Sequence, residues 1–306
     1  MNPDPCTQSI SGLLRLDDFT ALRVSGQDRV DFLQGQLSQD MGRVTPSQAA
    51  PAAWCNRQGR VLCLMVAVDW QDAIFLILPG GMAETCISGL SRYILRAKVR
   101  IERWDQPPEE RGHDPRVVPA LKTDEGGTPS IPGVFGCSGI EELGPEAWAC
   151  AGDEDYCAIR LPGAGYRALV LGEPPTHLED ASGAGLTREK WRLADIEAEL
   201  PWIGEKTSGK FLAHSLNLDL SGAVSFTKGC YVGQEIIARM EYRGAPKRRM
   251  RRVRIEGGSA VQAGERVDLP GHGAATVIAW TPSQGDVEAL AEVRLAQNST
   301  SLRKLQ

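Results

Sequence analysis

Cys230 is the residue of this chain whose neighbours best suit chemistry. It lies in Lys228-Gly229-Cys230-Tyr231-Val232-Gly233-Gln234-Glu235. An ammonium group two residues away favours the thiolate, which is the reactive form of cysteine. Glycines at positions 229 and 233 let the backbone turn tightly or approach a ligand closely. The segment predicts either a reactive thiol at a turn or, on local chemistry alone, a buried cysteine in a Gly-containing turn.

The other cysteines and the histidines show no metal-binding spacing. The eight cysteines include no C-x-x-C pair, so neither a zinc ribbon nor a cluster cassette is indicated, and the four histidines form no H-E-x-x-H pattern. We predict no metal site, and we expect most cysteines to be buried, reduced thiols. The residues concerned are Cys6, Cys55, Cys63, Cys86, Cys137, Cys150, Cys157, His113, His177, His214 and His272.

Basic residues concentrate shortly after this segment, between positions 243 and 254. They could capture an anionic ligand tail or an RNA phosphate. Alternatively, they are outward positions of a linker and a strand, because no aromatic residues are interleaved to stack on bases. The net charge of -5 also argues against nucleic-acid binding by the whole surface. The residues are Arg243, Lys247, Arg248, Arg249, Arg251, Arg252 and Arg254.

Three stretches have the apolar period of amphipathic helices. The first follows a capping-box spacing at residues 25–28 and carries Val30, Leu33, Leu37 and Met41. The second is predicted over residues 82–98. The third is predicted over residues 186–200 and is stopped by Pro201.

Short apolar runs between turn residues predict antiparallel strands. They lie at residues 52–55, 61–68, 74–78, 99–104, 156–161 and 166–171. From about Met250 the runs are short and separated by Gly-rich turns, which is typical of a small all-β domain and predicts a barrel. Residues 105–146 are rich in proline, glycine and acidic residues and are predicted to be a surface excursion.

These elements indicate an α+β protein with two domains, an α+β module over residues 1–245 and a β-barrel over 246–306. With 306 residues, 42% of them hydrophobic, the chain can bury a substantial core. No run approaches the ~20 apolar residues of a membrane helix. The first residues lack the pattern of a signal peptide, so we expect a cytoplasmic location without membrane association.

Two motifs resemble the YgfZ family of folate-binding proteins. Residues 228–235 match its core K-G-C-Y-x-G-Q-E, within a longer match from Asn217 to Gly244. Residues 32–40, Phe-Leu-Gln-Gly-Gln-Leu-Ser-Gln-Asp, resemble its N-terminal element F-L-Q-G-Q-x-T-x-D, with Ser38 replacing threonine. The resemblance implies an aminomethyltransferase-like folate-binding fold with intertwined antiparallel α+β subdomains and a C-terminal β-barrel.

The same superfamily includes the glycine cleavage T-protein, a folate-dependent aminomethyltransferase, which gives an enzymatic alternative. That protein resembles N-x-Q-G-G-I-x-D-D-L where this chain has Asn56-Arg57-Gln58-Gly59-Arg60-Val61-Leu62-Cys63-Leu64. Both aspartate positions therefore hold nonionic residues, which suit acid–base work poorly. Whether the chain is an enzyme stays open, but it is not expected to be a classical aminomethyltransferase.

The YgfZ resemblance implies a tetrahydrofolate-binding protein that supports assembly or repair of iron–sulfur clusters in client enzymes, including tRNA-modifying ones. Its cofactor would be tetrahydrofolate or a one-carbon derivative, and its partners would be folate and iron–sulfur client or assembly proteins. A noncatalytic tRNA- or protein-binding adaptor remains a further alternative.

The resemblance also suggests roles for individual residues. Cys230 would be the reactive thiol, with Lys228 beside it. Glu197 lies in I-E-A-E-L-P, which resembles the L-E-A-G-L-P segment where the T-protein carries a pterin-binding glutamate, with Glu199 replacing the glycine. Its carboxylate could accept the paired N–H donors of a pterin. Further cofactor-binding candidates, whose individual roles stay open, are Gly229, Tyr231, Gly233, Gln234 and Glu235.

Overall fold

The computed structural model describes residues 12–104, 133–140, 143–174, 185–244, 246–257 and 261–295. The chain divides into two compact units whose segments alternate along the sequence. Unit 1 comprises Met1–Arg29, Pro46–Ala49 and Val68–Leu186, and unit 2 comprises Val30–Thr45, Ala50–Ala67 and Thr187–Gln306. The domain boundary predicted at residue 245 stays a prediction.

The described residues form four α-helices, fourteen strands and three short 3-10 helices. The α-helices are α1 (Arg29–Gln36), α2 (Ala83–Ser91), α3 (Arg188–Glu197) and α4 (Gln234–Arg243). The 3-10 helices are Met41–Arg43, Gly80–Met82 and His214–Leu216. Strands β1 to β14 are Gly12–Arg15, Phe19–Ser25, Ala50–Cys55, Val61–Trp70, Ala73–Pro79, Arg100–Arg103, Gly133–Ser138, Cys150–Gly152, Tyr156–Arg160, Arg167–Gly172, Arg248–Ile255, Arg266–Leu269, Gly273–Ser283 and Asp286–Arg294.

Unit 1 is built on antiparallel strands. One sheet has the order β1-β7-β10-β9-β8, and β2 pairs with both β5 and β6. The residues of β5 are almost all buried, as expected for a strand covered on both faces. Trp70, Phe75 and Trp104 pack together with ring centroids 5.3–5.7 Å apart, the tilted and edge-on geometry that aromatic groups prefer.

Unit 2 contains the β3–β4 hairpin and a sheet of the order β11-β14-β13-β12, all antiparallel. A turn joins the strands predicted at residues 52–55 and 61–68, as expected, since the Asn56 side chain accepts hydrogen bonds from the backbone N–H groups of Gln58 and Arg60. The predicted C-terminal all-β character is also confirmed. In the described residues, however, β11 and β12 are the outer strands of an open sheet, so no closed barrel forms there.

The helices agree with the sequence in place but not always in length. Helix α2 ends at Ser91, although the apolar period predicts a helix up to residue 98. Cys86 and Leu90 are buried, but Tyr93 is 41% exposed, so the next turn has no core to pack against. Helix α4 was not predicted from its own periodicity. Most of the predicted excursion, together with Cys6, His113 and His177, lies outside the described residues.

The helices in the described ranges are all too short or too polar to cross a membrane.

Candidate functional site

Lys228 is buried in unit 2 and bound by backbone carbonyls. Its ammonium donates to the carbonyl oxygens of Gln34, Leu37 and Gln39, each at 2.7 Å. Gln34 lies in the last turn of α1, where carbonyls lack partners within the helix and attract cations. The three N–H donors of the ammonium are therefore used, so Lys228 could influence Cys230 only through its charge.

The environment of this ammonium has opposing effects. Burial lowers the pKa of Lys228 to about 8, and the negative charge of Asp40 counteracts that change. The ammonium also lies 5.1 Å from the centroid of the Tyr231 ring, at cation–π distance. Three carbonyl acceptors likewise favour the charged form.

The N-terminal motif, residues 32–40, contacts the match from Asn217 to Gly244 next to Lys228. The Ser38 hydroxyl donates to the Ala223 carbonyl at 2.6 Å and accepts from the Ala53 N–H at 2.9 Å. The Gln39 amide donates to the Gly222 carbonyl at 2.7 Å and to the Pro51 carbonyl at 3.1 Å. The N-terminal motif thus fixes the strand β3 and the segment that leads into residues 228–235.

Gly233 positions the start of α4. Its φ of +88° lies in the left-handed region, and a Cβ built on it would be 2.5 Å from the Asn56 carbonyl oxygen. Only glycine allows the chain to pass so close to the β3–β4 turn. Gln234 and Glu235 form the first turn of α4, where the exposed carboxylate of Glu235 complements the helix dipole. Gly233 and Glu235 thus have roles in the fold, and their role in cofactor binding stays a prediction.

Tyr231 belongs to the core of unit 2. It is 8% exposed and packs in a cluster with Cys55 and Ile237. Burial raises the pKa of its hydroxyl. The ring anchors the segment from inside, between Lys228 and the start of α4.

Cys230 is exposed, whereas the other cysteines of the described residues are buried or half-buried. A Cβ built on the preceding Gly229 would meet no atom within 4 Å, so the chain there faces open space. Lys228 and Tyr231 hold the segment on both sides while the thiol faces outward. A reagent in solution can therefore reach the sulfur without any opening of the core.

Glu197 ends α3 and is exposed. Its carboxylate forms an ion pair with Arg252 at 3.2 Å, and Arg252 also donates to Glu288 at 2.9 Å. Its role in pterin binding stays a prediction.

The chain reverses directly after α3 in a Schellman motif. The N–H of Leu200 bonds the Asp195 carbonyl, and the N–H of Glu199 bonds the Ile196 carbonyl. Glu199 has a φ of +52° at the position that glycine usually takes. This conformation explains why the L-E-A-G-L-P segment has a glycine at the position that Glu199 holds here.

The basic run after residue 243 is largely paired with carboxylates. Arg248 pairs with Glu292, Arg252 with Glu288, and Arg254 with Asp286 across the β11–β14 ladder. Each pair removes positive charge that an RNA phosphate would need. The strand interpretation of these arginines therefore fits the described contacts better than an RNA-binding surface.

A second polar cluster in unit 2 was not recognised from the sequence. Arg249 donates two hydrogen bonds to the Asp219 carboxylate, at 2.5 and 2.8 Å, and one to the His214 carbonyl. The His214 ring lies 3.4 Å from Glu241. The His214 imidazole and the carboxylates of Asp219 and Glu241 are close enough together to hold a cation. The Arg249 guanidinium, however, already supplies positive charge to Asp219. The sequence did offer a signal for Asp219, because Asn217-Leu218-Asp219 opens the motif match that runs from Asn217 to Gly244.

The fold is that of an aminomethyltransferase-like protein. The structure is similar to the crystal structure of glycine cleavage system aminomethyltransferase T from Bartonella henselae, with a TM-score of 0.63 and 15% identity over 94% of this chain and 79% of that chain. At this identity the similarity concerns the fold alone. The positions compared above with the T-protein aspartates, Cys63 and Leu64, are buried in β4.

The sequence comparisons give the particular proteins that this chain resembles. The chain is 29% identical over 272 residues to the tRNA-modifying protein YgfZ of Edwardsiella ictaluri, covering 84% of this chain and 75% of that protein. It is 27% identical to YgfZ of Hamiltonella defensa over 80% of this chain and 70% of that protein, and 25% identical to YgfZ of Pectobacterium atrosepticum over 87% and 77%. No protein-family model matches the chain. The resemblance to YgfZ proteins predicted from the sequence is thus confirmed, at 25–29% identity over most of the chain.

Proposed function

We propose that the chain binds a reduced folate and supports assembly or repair of iron–sulfur clusters in client enzymes, including enzymes that modify tRNA. The observation that carries the proposal is the exposed thiol of Cys230. It lies on a segment that the buried side chains of Lys228 and Tyr231 hold in place. A thiol that is exposed to solvent but held by a well-packed segment can react with, or bind to, a partner or ligand. The tRNA-modifying relatives agree with that class of client.

One thiol is too few to hold a cluster alone, because clusters are normally held by up to four cysteines. Cys230 would therefore contribute one ligand, or one nucleophile, while the partner or the folate supplies the rest. The residues around it, Lys228 to Glu235, fix its position and leave its sulfur accessible.

The folate would be recognised through its pterin ring by Glu197. An exposed carboxylate at a helix end can accept two parallel N–H donors if it turns away from Arg252. Arg252 would remain paired with Glu288, so release of Glu197 leaves no isolated charge. The cofactor would be tetrahydrofolate or a one-carbon derivative.

An aminomethyltransferase activity is the second candidate, favoured by the fold. The buried, nonionic Cys63 and Leu64 weigh against it, because acid–base work on an amine needs a carboxylate. Folate-dependent release of methylene from a carrier-bound aminomethyl group is the assay that distinguishes the two candidates.

The thiol is tested in cells that lack the native protein. Cys230→Ala should fail to restore the activity of cluster-containing enzymes, because the nucleophile or ligand is lost. Cys230→Ser should fail as well, since a hydroxyl is not a soft ligand. Val232→Ala, in the same segment, is the control and should restore activity. Full rescue by Cys230→Ala at equal protein level would refute the role of the thiol.

A further inference from the structure

Two cysteines lie on neighbouring strands of unit 1, apart from the signature segment, which is residues 228–235. Cys150 lies in β8 and Cys157 in β9, and the register places Cys150 opposite Ile159 and Gly152 opposite Cys157. Because side chains alternate along a strand, both thiols project from the same face, offset by two residues. Each thiol is the largest cause of the other's altered pKa, so the two side chains interact. The Cys150 Sγ also donates to the Trp148 carbonyl at 3.5 Å.

The backbone holds this pair in register. The N–H of Cys150 donates to the Ser47 carbonyl at 2.9 Å, and the Arg160 N–H donates to the Ala149 carbonyl at 2.8 Å. The start of strand β8 is thereby held in place. The residue facing Cys157 is Gly152, which has no side chain to separate the two sulfurs. The shared face of the two thiols is therefore a property of the sheet.

The two thiols differ in exposure and acidity. Cys150 is half-buried, while Cys157 is 2% exposed. The hydrogen bond from Cys157 lowers the pKa of Cys150, burial opposes that change, and a backbone hydrogen bond from Ala49 lowers it further. The same contact with Cys150, with burial, raises the pKa of Cys157. Cys150 is thus the thiol that ionises first, with Cys157 donating to it.

Small solutes can approach the Cys157 side of the pair from a cavity, while Cys150 is itself half-buried rather than buried. Cys157 borders a cavity of about 440 Å³ that is also lined by Asp69, Trp70 and Asp153. The indole N–H of Trp70 donates to the Asp153 carbonyl at 2.7 Å, which fixes that wall. A hydroperoxide or a small thiol reductant fits such a space.

We propose that Cys150 and Cys157 form a peroxide-responsive dithiol that closes to a reversible disulfide. The Cys150 thiolate attacks the terminal oxygen of a hydroperoxide, the O–O bond breaks, and an alcohol or water leaves after protonation. Cys150 becomes a sulfenic acid. The Cys157 sulfur then attacks it, an S–S bond forms, the S–O bond breaks, and the hydroxide leaves as water with the Cys157 proton.

The two thiols lose two electrons in total and the peroxide gains them. A small thiol reductant reverses the step by exchange. Closure requires the two sulfurs, which lie on the same face of adjacent strands, to approach to about 2.05 Å. Strand β8 has three residues and lies at the edge of its sheet, so it can adjust to this approach.

The test uses the full chain treated with increasing hydrogen peroxide, then alkylation of the remaining thiols, proteolysis without reductant and mass spectrometry. With a protease that cuts at acidic residues, between Cys150 and Cys157 at Asp153 to Asp155, we expect a peptide pair joined by the two cysteines, lighter by two hydrogen atoms and lost on treatment with dithiothreitol. The exposed Cys230 is the internal benchmark. Full alkylation of both Cys150 and Cys157 at a peroxide concentration that oxidises Cys230 overturns the proposal.

The order of attack is tested with single variants and dimedone, which traps sulfenic acids. Cys157→Ser should accumulate the adduct on Cys150, while Cys150→Ser should give none on Cys157. An adduct on Cys157 alone contradicts the assignment. Should either variant fail to fold by circular dichroism, the cross-link in the unmodified chain decides the proposal by itself.

Discussion

At the scale of single residues, the signature segment separates anchoring from reactivity. Lys228 and Tyr231 face inward and hold the chain, while Cys230 between them faces solvent. The sequence predicted the thiol and the lysine as neighbours, and the lysine as its activator. The three backbone carbonyls that bind the Lys228 ammonium could not be predicted, because they belong to residues almost two hundred positions away.

Lys228→Met should destabilise the protein strongly. The substitution keeps the aliphatic stem but leaves the carbonyls of Gln34, Leu37 and Gln39 without their donor. Unsatisfied buried groups cost ~1–3 kcal/mol each, so we expect a loss of about 3 kcal/mol in the free energy of unfolding, measured with urea. The control is Lys247→Met at an exposed lysine, which should change it little. Equal stability of the two variants would contradict the stabilising role of the three hydrogen bonds from Lys228 to backbone carbonyls.

At the scale of secondary-structure elements, backbone geometry explains positions that side-chain patterns could not. The strands of the first half and helix α3 follow from apolar periodicity and turn residues. Helix α4 was missed because its start is set by the left-handed Gly233 against the β3–β4 turn, a tertiary contact. The end of α2 was missed for the related reason that the local pattern does not reveal where the core stops.

Two glycines of the signature segment allow a matched comparison. Gly233→Ala places a methyl group 2.5 Å from the Asn56 carbonyl oxygen at a φ of +88°. We expect it to lower the free energy of unfolding by about 2 kcal/mol.

Gly229→Ala places its methyl group in open space and is the control. It should be neutral or stabilising by up to ~1 kcal/mol, because it restricts the unfolded chain. Urea unfolding of both variants decides the point, and the reverse ranking would contradict the account of how α4 is positioned.

Glu199→Gly should make the protein more stable. Glu199 holds the left-handed position of the Schellman motif after α3, where a non-glycine residue costs ~1–2 kcal/mol. The variant gives up the hydrogen bond from Asn217, at 3.3 Å, and adds freedom to the unfolded chain. We expect a net gain of about 0.5 kcal/mol, read as a higher midpoint of thermal unfolding. A clear loss would show that the Asn217 contact outweighs backbone strain.

At the scale of the whole molecule, the class of protein was predicted more fully than its parts. The motifs at residues 32–40 and 228–235 were enough to indicate the resemblance to YgfZ proteins, because they are long and specific. The structure explains why both occur together, since Ser38, Gln39 and Lys228 join them by hydrogen bonds. The C-terminal sheet shows the limit of composition, since short strands and Gly-rich turns suit an open sheet as well as a barrel.

The most direct measurement is a calorimetric titration of the chain with tetrahydrofolate. We predict saturable binding that Glu197→Ala weakens by about 2 kcal/mol, or roughly 30-fold, because the pterin loses its charged acceptor. Glu205→Ala, another exposed glutamate of unit 2, should leave the affinity unchanged. Absence of saturable heat for the unmodified chain, with the protein folded, would contradict the account.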